Sequence, residues 1–289
     1  MRGRLQAVGV AMLGIVLPIF AWISAAIVAL VVLRRDGQDV LVVCGGAALA
    51  ALAVALVTGD PGVLFALLSS VAVAAVLRYT RSWPLALVAI VATSLLAGLL
   101  LNVLAAGMIA QWVDIANPVL DRVRAQLPAE QAAQLAPLNA THISGMLGLR
   151  NASVALIALL IARWWQALLY NPGGFREEFH RLRLPPVVAA GLIALGAIAA
   201  GVDSDYKVWS VLFGLPFLVA GFALAHGVVA ILHWGWGPLA AMYVSWLMLY
   251  VRFTPIWVVV TGALLLIALV DSWWDFRGRL LRARQNNGL

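Results

Sequence analysis

Arg150 and Asn151 stand side by side inside one long apolar run, and Ser94 and Asn102 stand inside another, with Thr93 beside Ser94. An ionisable group in such a run costs about 2.5 to 3.5 kcal/mol to insert into lipid, so it normally faces protein or water and marks a place to look for function. Helical rise puts Asn102 and Arg150 at comparable depth in neighbouring segments. With Lys207 and Arg252 near the same side, these groups would line an outward-facing electropositive site for a small polar or anionic ligand. The expected ligand-binding set is therefore Asn102, Arg150, Asn151 and Ser94. The alternative is that Arg150 snorkels to the interface while Asn102 bonds a neighbouring helix.

Other reactive types are sparse. His226 and His233 lie seven residues apart, a spacing open to metal, haem or proton chemistry, but neither has carboxylate or cysteine companions. His226 reads better as an interhelical donor and His233 as an interfacial residue, while His142 and His180 fall in loops and complete no metal set. Cys44 is the single cysteine, so no intramolecular disulfide forms. There is no His-Glu-x-x-His helix, no Gly-x-Ser-x-Gly elbow, no phosphate-binding Gly-rich loop with Lys, and no arginine ladder. Asp271 and Asp275 flank Trp273 and Trp274, where solvated or capping roles fit better than catalysis. An enzyme is the least expected class, and neither metal nor cofactor is expected.

The elements that must hold these residues follow from composition. Of 289 residues, 64% are hydrophobic and 11% charged, with a mean hydropathy of +1.00, which requires lipid as solvent. The sequence predicts an all-α, polytopic transmembrane bundle of about nine spans in a single membrane domain, 1–289. The spans fall near Val8 to Leu33, Val40 to Val57, Gly62 to Leu77, Trp83 to Trp112, Ile143 to Trp165, Pro185 to Val202, Val208 to Leu232, Pro238 to Val251 and Pro255 to Trp274. Arg2 and Arg4 precede the first, which is too long for a signal peptide and reads as a retained span.

The net charge of +7 reads as topology rather than nucleic-acid binding, because the basic residues sit in short loops and the tail. Arg34, Arg35, Arg78, Arg81, Arg163, the 176–183 arginines and those from Arg277 to Arg284 fall on one side. That side should be cytoplasmic, with the C-terminus, and the N-terminus outside, in a bacterial inner membrane. Tryptophans at predicted span ends form an interfacial belt.

Two stretches are neither spans nor turns. Residues 114–138 predict an outer amphipathic insert of two short helices, with Asn117 capping the first, Pro118 at its opening position and Pro128 opening the second. Residues 170–184 predict a cytoplasmic amphipathic helix in which Phe175, Phe179 and Leu182 share one face, as an interfacial anchor or a docking surface. Residues 275–289 form a basic tail. Ala21, Ala25 and Ala29 recur every four residues, spacing that lets another helix approach closely, either within the bundle or from a partner.

The stretch Ala-Arg-Trp-Trp-Gln-Ala-Leu-Leu-Tyr-Asn-Pro-Gly-Gly-Phe-Arg-Glu-Glu-Phe, residues 162–179, resembles the YybS-like family of bacterial integral membrane proteins. That family is distantly similar to the S components of energy-coupling factor transporters, which bind vitamins from outside and dock a coupling subunit through small residues of the first span. The resemblance thus implies a membrane coupling subunit docking at Ala21, Ala25 and Ala29. The chain departs from an S component in having about nine spans rather than about six, and in its two amphipathic inserts. The expected function is small-molecule binding or transport within the membrane. The alternative is a scaffold or assembly factor recruiting partners through Phe175, Phe179 and Leu182.

Overall fold

The computed structural model describes residues 9, 21–133, 135–247 and 255–286. Among the described residues every regular element is a helix. In chain order these are α1 Ala21–Arg34, α2 Gln38–Thr58, α3 Gly62–Thr80, α4 Trp83–Leu104, α5 Ala106–Arg124, α6 Ala129–Ala133 and α7 Ala140–Tyr170. They continue as α8 Gly174–Arg181, α9 Pro186–Val202, a 3-10 turn Ser204–Tyr206, α10 Lys207–Ile231, α11 Gly237–Leu247, α12 Pro255–Trp274 and α13 Phe276–Asn286.

Among the described residues five helical segments are long and apolar enough to cross a membrane: α2, α3, α4, α7 and Ser204–Ile231. The number rises to seven if two bent pairs each make one span: α8 with α9, bent by 67°, and Val259–Trp274 with α13, bent by 66°. The described residues thus hold five to seven of the about nine expected spans. Of the expected first span only Gly9 and Ala21 onward are described, and of the expected eighth only the part in α11, with 248–251 outside the described residues. Arg2, Arg4 and Arg252 lie outside the described residues.

Local chemistry sets most boundaries. Gly59 ends α2 in the left-handed region at φ 72, where a side chain would be strained, and its N–H bonds Ala55 O at 2.8 Å. Ser82 caps α4 by accepting from Leu85 N, with Pro84 in the first turn. The expected Trp83–Trp112 span instead breaks at Ala105 (φ −123, ψ 32), because beyond it Gln111, Asp114 and Asn117 make the chain amphipathic. The single helix α5 then runs through Asn117 and Pro118, so Asn117 caps nothing. Its amide instead pairs twice with the backbone of Leu138, Nδ2 to O at 3.0 Å and N to Oδ1 at 2.9 Å.

The chain packs as two compact units, one of Met1–Gln166 and Ala197–Leu212, the other of Ala167–Gly196 and Phe213–Leu289. In the first, α1 packs on α2 and α3, and α3 on α4. Its core joins Ala25, Ala26, Ile27 and Val28 to Ala47, Ala51, Leu67 and Ala158. Trp209, 4% exposed, fits a socket made by glycines: a Cβ on Gly98 would lie 2.8 Å from its ring, and one on Gly145 2.8 Å from its Nε1. The indole N–H donates to Thr141 O at 2.9 Å. In the second unit α11 packs on α12, and Gly221 lets the backbone of Leu264 approach closely.

Candidate functional site

Of the four residues expected to bind a ligand, the structure joins two. Asn151 Nδ2 donates to Ser94 Oγ at 3.1 Å and also to Ser69 Oγ at 2.9 Å, and all three side chains are buried. Asn151 Oδ1 is buried without a hydrogen-bond partner. The close approach comes from Gly148, where a Cβ would sit 3.0 Å from Ser94 O, so α7 and α4 nearly touch there. Such hydrogen bonds between spans contribute about 0.6 kcal/mol each on average.

Asn102 and Arg150 do not join them. Asn102 is exposed, one residue beyond the buried Leu101. Arg150 is half-exposed, and its long stem carries the guanidinium to the start of α3, 3.9 Å from Asp60. The outward-facing set of Asn102, Arg150, Asn151 and Ser94 is therefore not one site.

The small-residue face of α1 is also spent internally. Ala25 and Ala29 are fully buried in the first unit, which leaves those two no surface for a coupling subunit, and Ala21 is half-buried. In the second unit, Leu182 is 3% exposed, Phe179 packs edge-on against His226 at 5.6 Å between ring centres, and Phe175 lies 5.8 Å from Phe179. The apolar face of α8 thus anchors that helix to its own unit. Phe175, Phe179 and Leu182 do not form a free docking surface.

The richest chemistry lies elsewhere in the second unit, at the ends of α8, α10 and α12. Helix C-termini leave carbonyls without intrahelical partners, and cations are favoured there. Arg277 donates to His180 O at 2.7 Å and Leu182 O at 2.8 Å, and Arg183 to Asp271 O at 2.7 Å and Ser272 O at 3.1 Å. Arg284 bonds Ile231 O at the end of α10. The Asp271 carboxylate accepts from Arg277 Nη2 at 2.7 Å and from Phe276 N at 2.9 Å, while Asp275 caps α13 by accepting from Gly278 N at 3.2 Å. The buried Leu182 and Leu184 hold the α8–α9 link that presents Arg183.

These residues border an open cavity of about 690 Å³ lined by His180, Arg181, Arg183, Asp275, Arg277 and Arg284, with Gly227, Ala230, Ile231 and Leu281. That volume falls within the range of small-molecule pockets, about 300–1,000 Å³. Four arginines face one lining carboxylate, because Asp271 lies behind Arg277 and is matched by it. A second cavity of about 470 Å³ shares His180, Ala230 and His233 and adds Arg176, His226, Trp234, Trp236 and Leu239.

No known relative helps to assign it. No family model matches the chain, and neither curated proteins nor solved structures give a significant match.

His180, in the short amphipathic α8 outside the long apolar helices, is held below the ordinary histidine value by burial first, then by Arg176, His226 and Arg277. Its surroundings therefore favour the neutral imidazole. His226 Nε2 lies 2.8 Å from Tyr243 Oη, an interhelical bond between α10 and α11. No group of three or more metal-ligating side chains occurs among the described residues.

Sequence reasoning missed this site. It assigned Arg181, Arg183, Arg277 and Arg284 to topology and His180 to a loop. The available signal was the pairing of an Arg-rich α8–α9 link with an Arg-rich tail holding two aspartates at its root, but no local spacing says that the two meet.

Proposed function

We propose that the chain is a membrane-embedded protein that binds a small anionic ligand, and that its site is the arginine-lined cavity at the ends of α8, α10 and α12. One observation carries this reading: four arginines and one carboxylate line a ligand-sized cavity. Arg183 and Arg277 are fixed by the backbone carbonyls and aspartates that they bond. Arg181 is exposed and makes no hydrogen bond among the described residues, and Arg284 uses only part of its guanidinium. A guanidinium offers five N–H donors, so these two have donors left for an anion.

This keeps the binding class expected from sequence and moves the site to the basic side of the bundle, which the arginine distribution assigns to the cytoplasm. Membership of the YybS-like family, through residues 162–179, belongs to the same proposal, as does movement of the ligand across the membrane. Scaffolding through Phe175, Phe179 and Leu182 is the weaker reading, since that face is packed inward.

The test is an intact-mass measurement on protein released from native lipid, beside an Arg181→Ala/Arg284→Ala variant. The native chain is expected to retain an anionic species that the variant loses. Equal retention by both would remove the cavity from the reading.

A further inference from the structure

We infer that the anion is the phosphate ester of a bilayer lipid, an anionic phospholipid whose headgroup meets the arginines while its glycerol and first acyl carbons lie against the aliphatic wall of the same cavity. This rests on reading the cavity as an anion site. Three observations narrow the ligand from any anion to this class.

The first is depth. The cavity forms where α10 ends at Ile231 and α12 at Trp274, so it opens at the level where apolar helices stop. Exposed tryptophans mark the same level: Trp234 is 56% and Trp236 82% exposed, and amphipathic indoles favour the headgroup layer. A lipid phosphate lies at this level in any bilayer, at high local concentration.

The second is the mixed lining of the cavity. Beside its arginines it presents Gly227, Ala230, Ile231 and Leu281. Charged and aliphatic walls in one open cavity suit an amphiphile, whereas a free phosphate ion would leave the aliphatic wall unused. The third is charge. Arg181 and Arg284 are the lining cations that no described carboxylate matches, so a headgroup of net negative charge, with no cation of its own, would meet two forks suited to its phosphate oxygens. Basic pockets between spans on the cytoplasmic side recognise anionic headgroups by this means.

The experiment uses the full chain in nanodiscs of three kinds: neutral phosphatidylcholine, phosphatidylcholine with phosphatidylglycerol, and phosphatidylcholine with added inorganic phosphate. Backbone hydrogen exchange is followed over residues 174–184 and 276–286. Exchange there is expected to slow about tenfold in the phosphatidylglycerol discs alone, as a ligand at roughly ten times its Kd protects the state that it binds. Arg181→Gln should abolish most of that slowing, and because this side chain makes no described hydrogen bond the variant folds. Arg122→Gln, exposed in the first unit, should respond like the native chain.

Equal slowing by inorganic phosphate in neutral discs would overturn the lipid and leave the anion-binding reading standing. Slowing by phosphatidylglycerol that survives in Arg181→Gln and in Arg181→Gln/Arg284→Gln would overturn the site. No slowing in any disc would overturn both readings.

Discussion

Asp271 and Arg277 form a buried ion pair across the bend between α12 and α13, with Arg277 Nη2 2.7 Å from Asp271 Oδ2 and side chains only 3% and 9% exposed respectively. The pair also binds three backbone groups: Arg277 holds His180 O and Leu182 O, and Asp271 holds Phe276 N. One interaction thus ties the end of α8 to the bend that borders the cavity.

Removing one partner of a buried pair leaves an uncompensated charge, which costs about 3–5 kcal/mol. Arg277→Ala is expected to lose that much in a denaturant titration of the micelle-solubilised protein. Asp271→Asn/Arg277→Met should recover part of it by removing both charges. Arg277→Lys should stay destabilised, since an ammonium lacks the fork that reaches two carbonyls and a carboxylate together. A single variant no worse than the double would show that the pair bears no load on folding.

Cavity charge should depend on pH through His180. Burial and the neighbouring Arg176, His226 and Arg277 depress its folded value, so the neutral form is favoured when folded and the associated stability is present above the unfolded value of about 6.5. That stability is lost as pH falls through the depressed folded value. An anion in the cavity opposes the loss by favouring the charged imidazole, so anion affinity should rise on acidification from pH 7.5 to 5.5. Binding measured at both values should show the rise in the native chain and a smaller one in His180→Ala; an identical rise in both would assign it elsewhere.

The glycine socket of Trp209 should be intolerant of a methyl group. Gly98→Ala and Gly145→Ala each place a Cβ under 3 Å from the indole, and overpacking of this kind costs about 1–3 kcal/mol. Gly45→Ala, where a Cβ meets nothing within 4 Å, is the control and should unfold like the native protein. Comparable midpoints for all three variants would contradict the socket.

The Asn151 trio is expected to be a weak structural link. Ser69→Ala and Ser94→Ala should each cost about 0.6 kcal/mol, the average for hydrogen bonds between spans. Asn151→Leu combined with both serine changes should be close to neutral, because it removes the unpartnered Oδ1 together with the Nδ2 donor and the two hydroxyls that accept from it. A loss of several kcal/mol in the triple variant would mean that the amide does more than join three helices.

The sequence alone determined the helical class, the need for lipid and many boundaries, because each depends on local properties. Apolar length sets the long helices, Gly59 and Ser82 set ends by their own backbone and side-chain chemistry, and the amphipathic run after Gly174 makes α8. Even there, Asn117 looked like a cap because its neighbours suit one, and only its pairing with Leu138, 21 residues on, reveals its role. Which polar groups meet was decided by tertiary structure. Ala25 and Ala29 carry the same pattern whether they face a partner or their own core, and packing against α2 and α3 puts them inside. Arg183 and Arg277 lie far apart in the chain and converge only because the carbonyls at two helix ends need donors. Charge count can place such arginines on one side of a membrane, but helix ends and the bends between them decide whether they border a cavity.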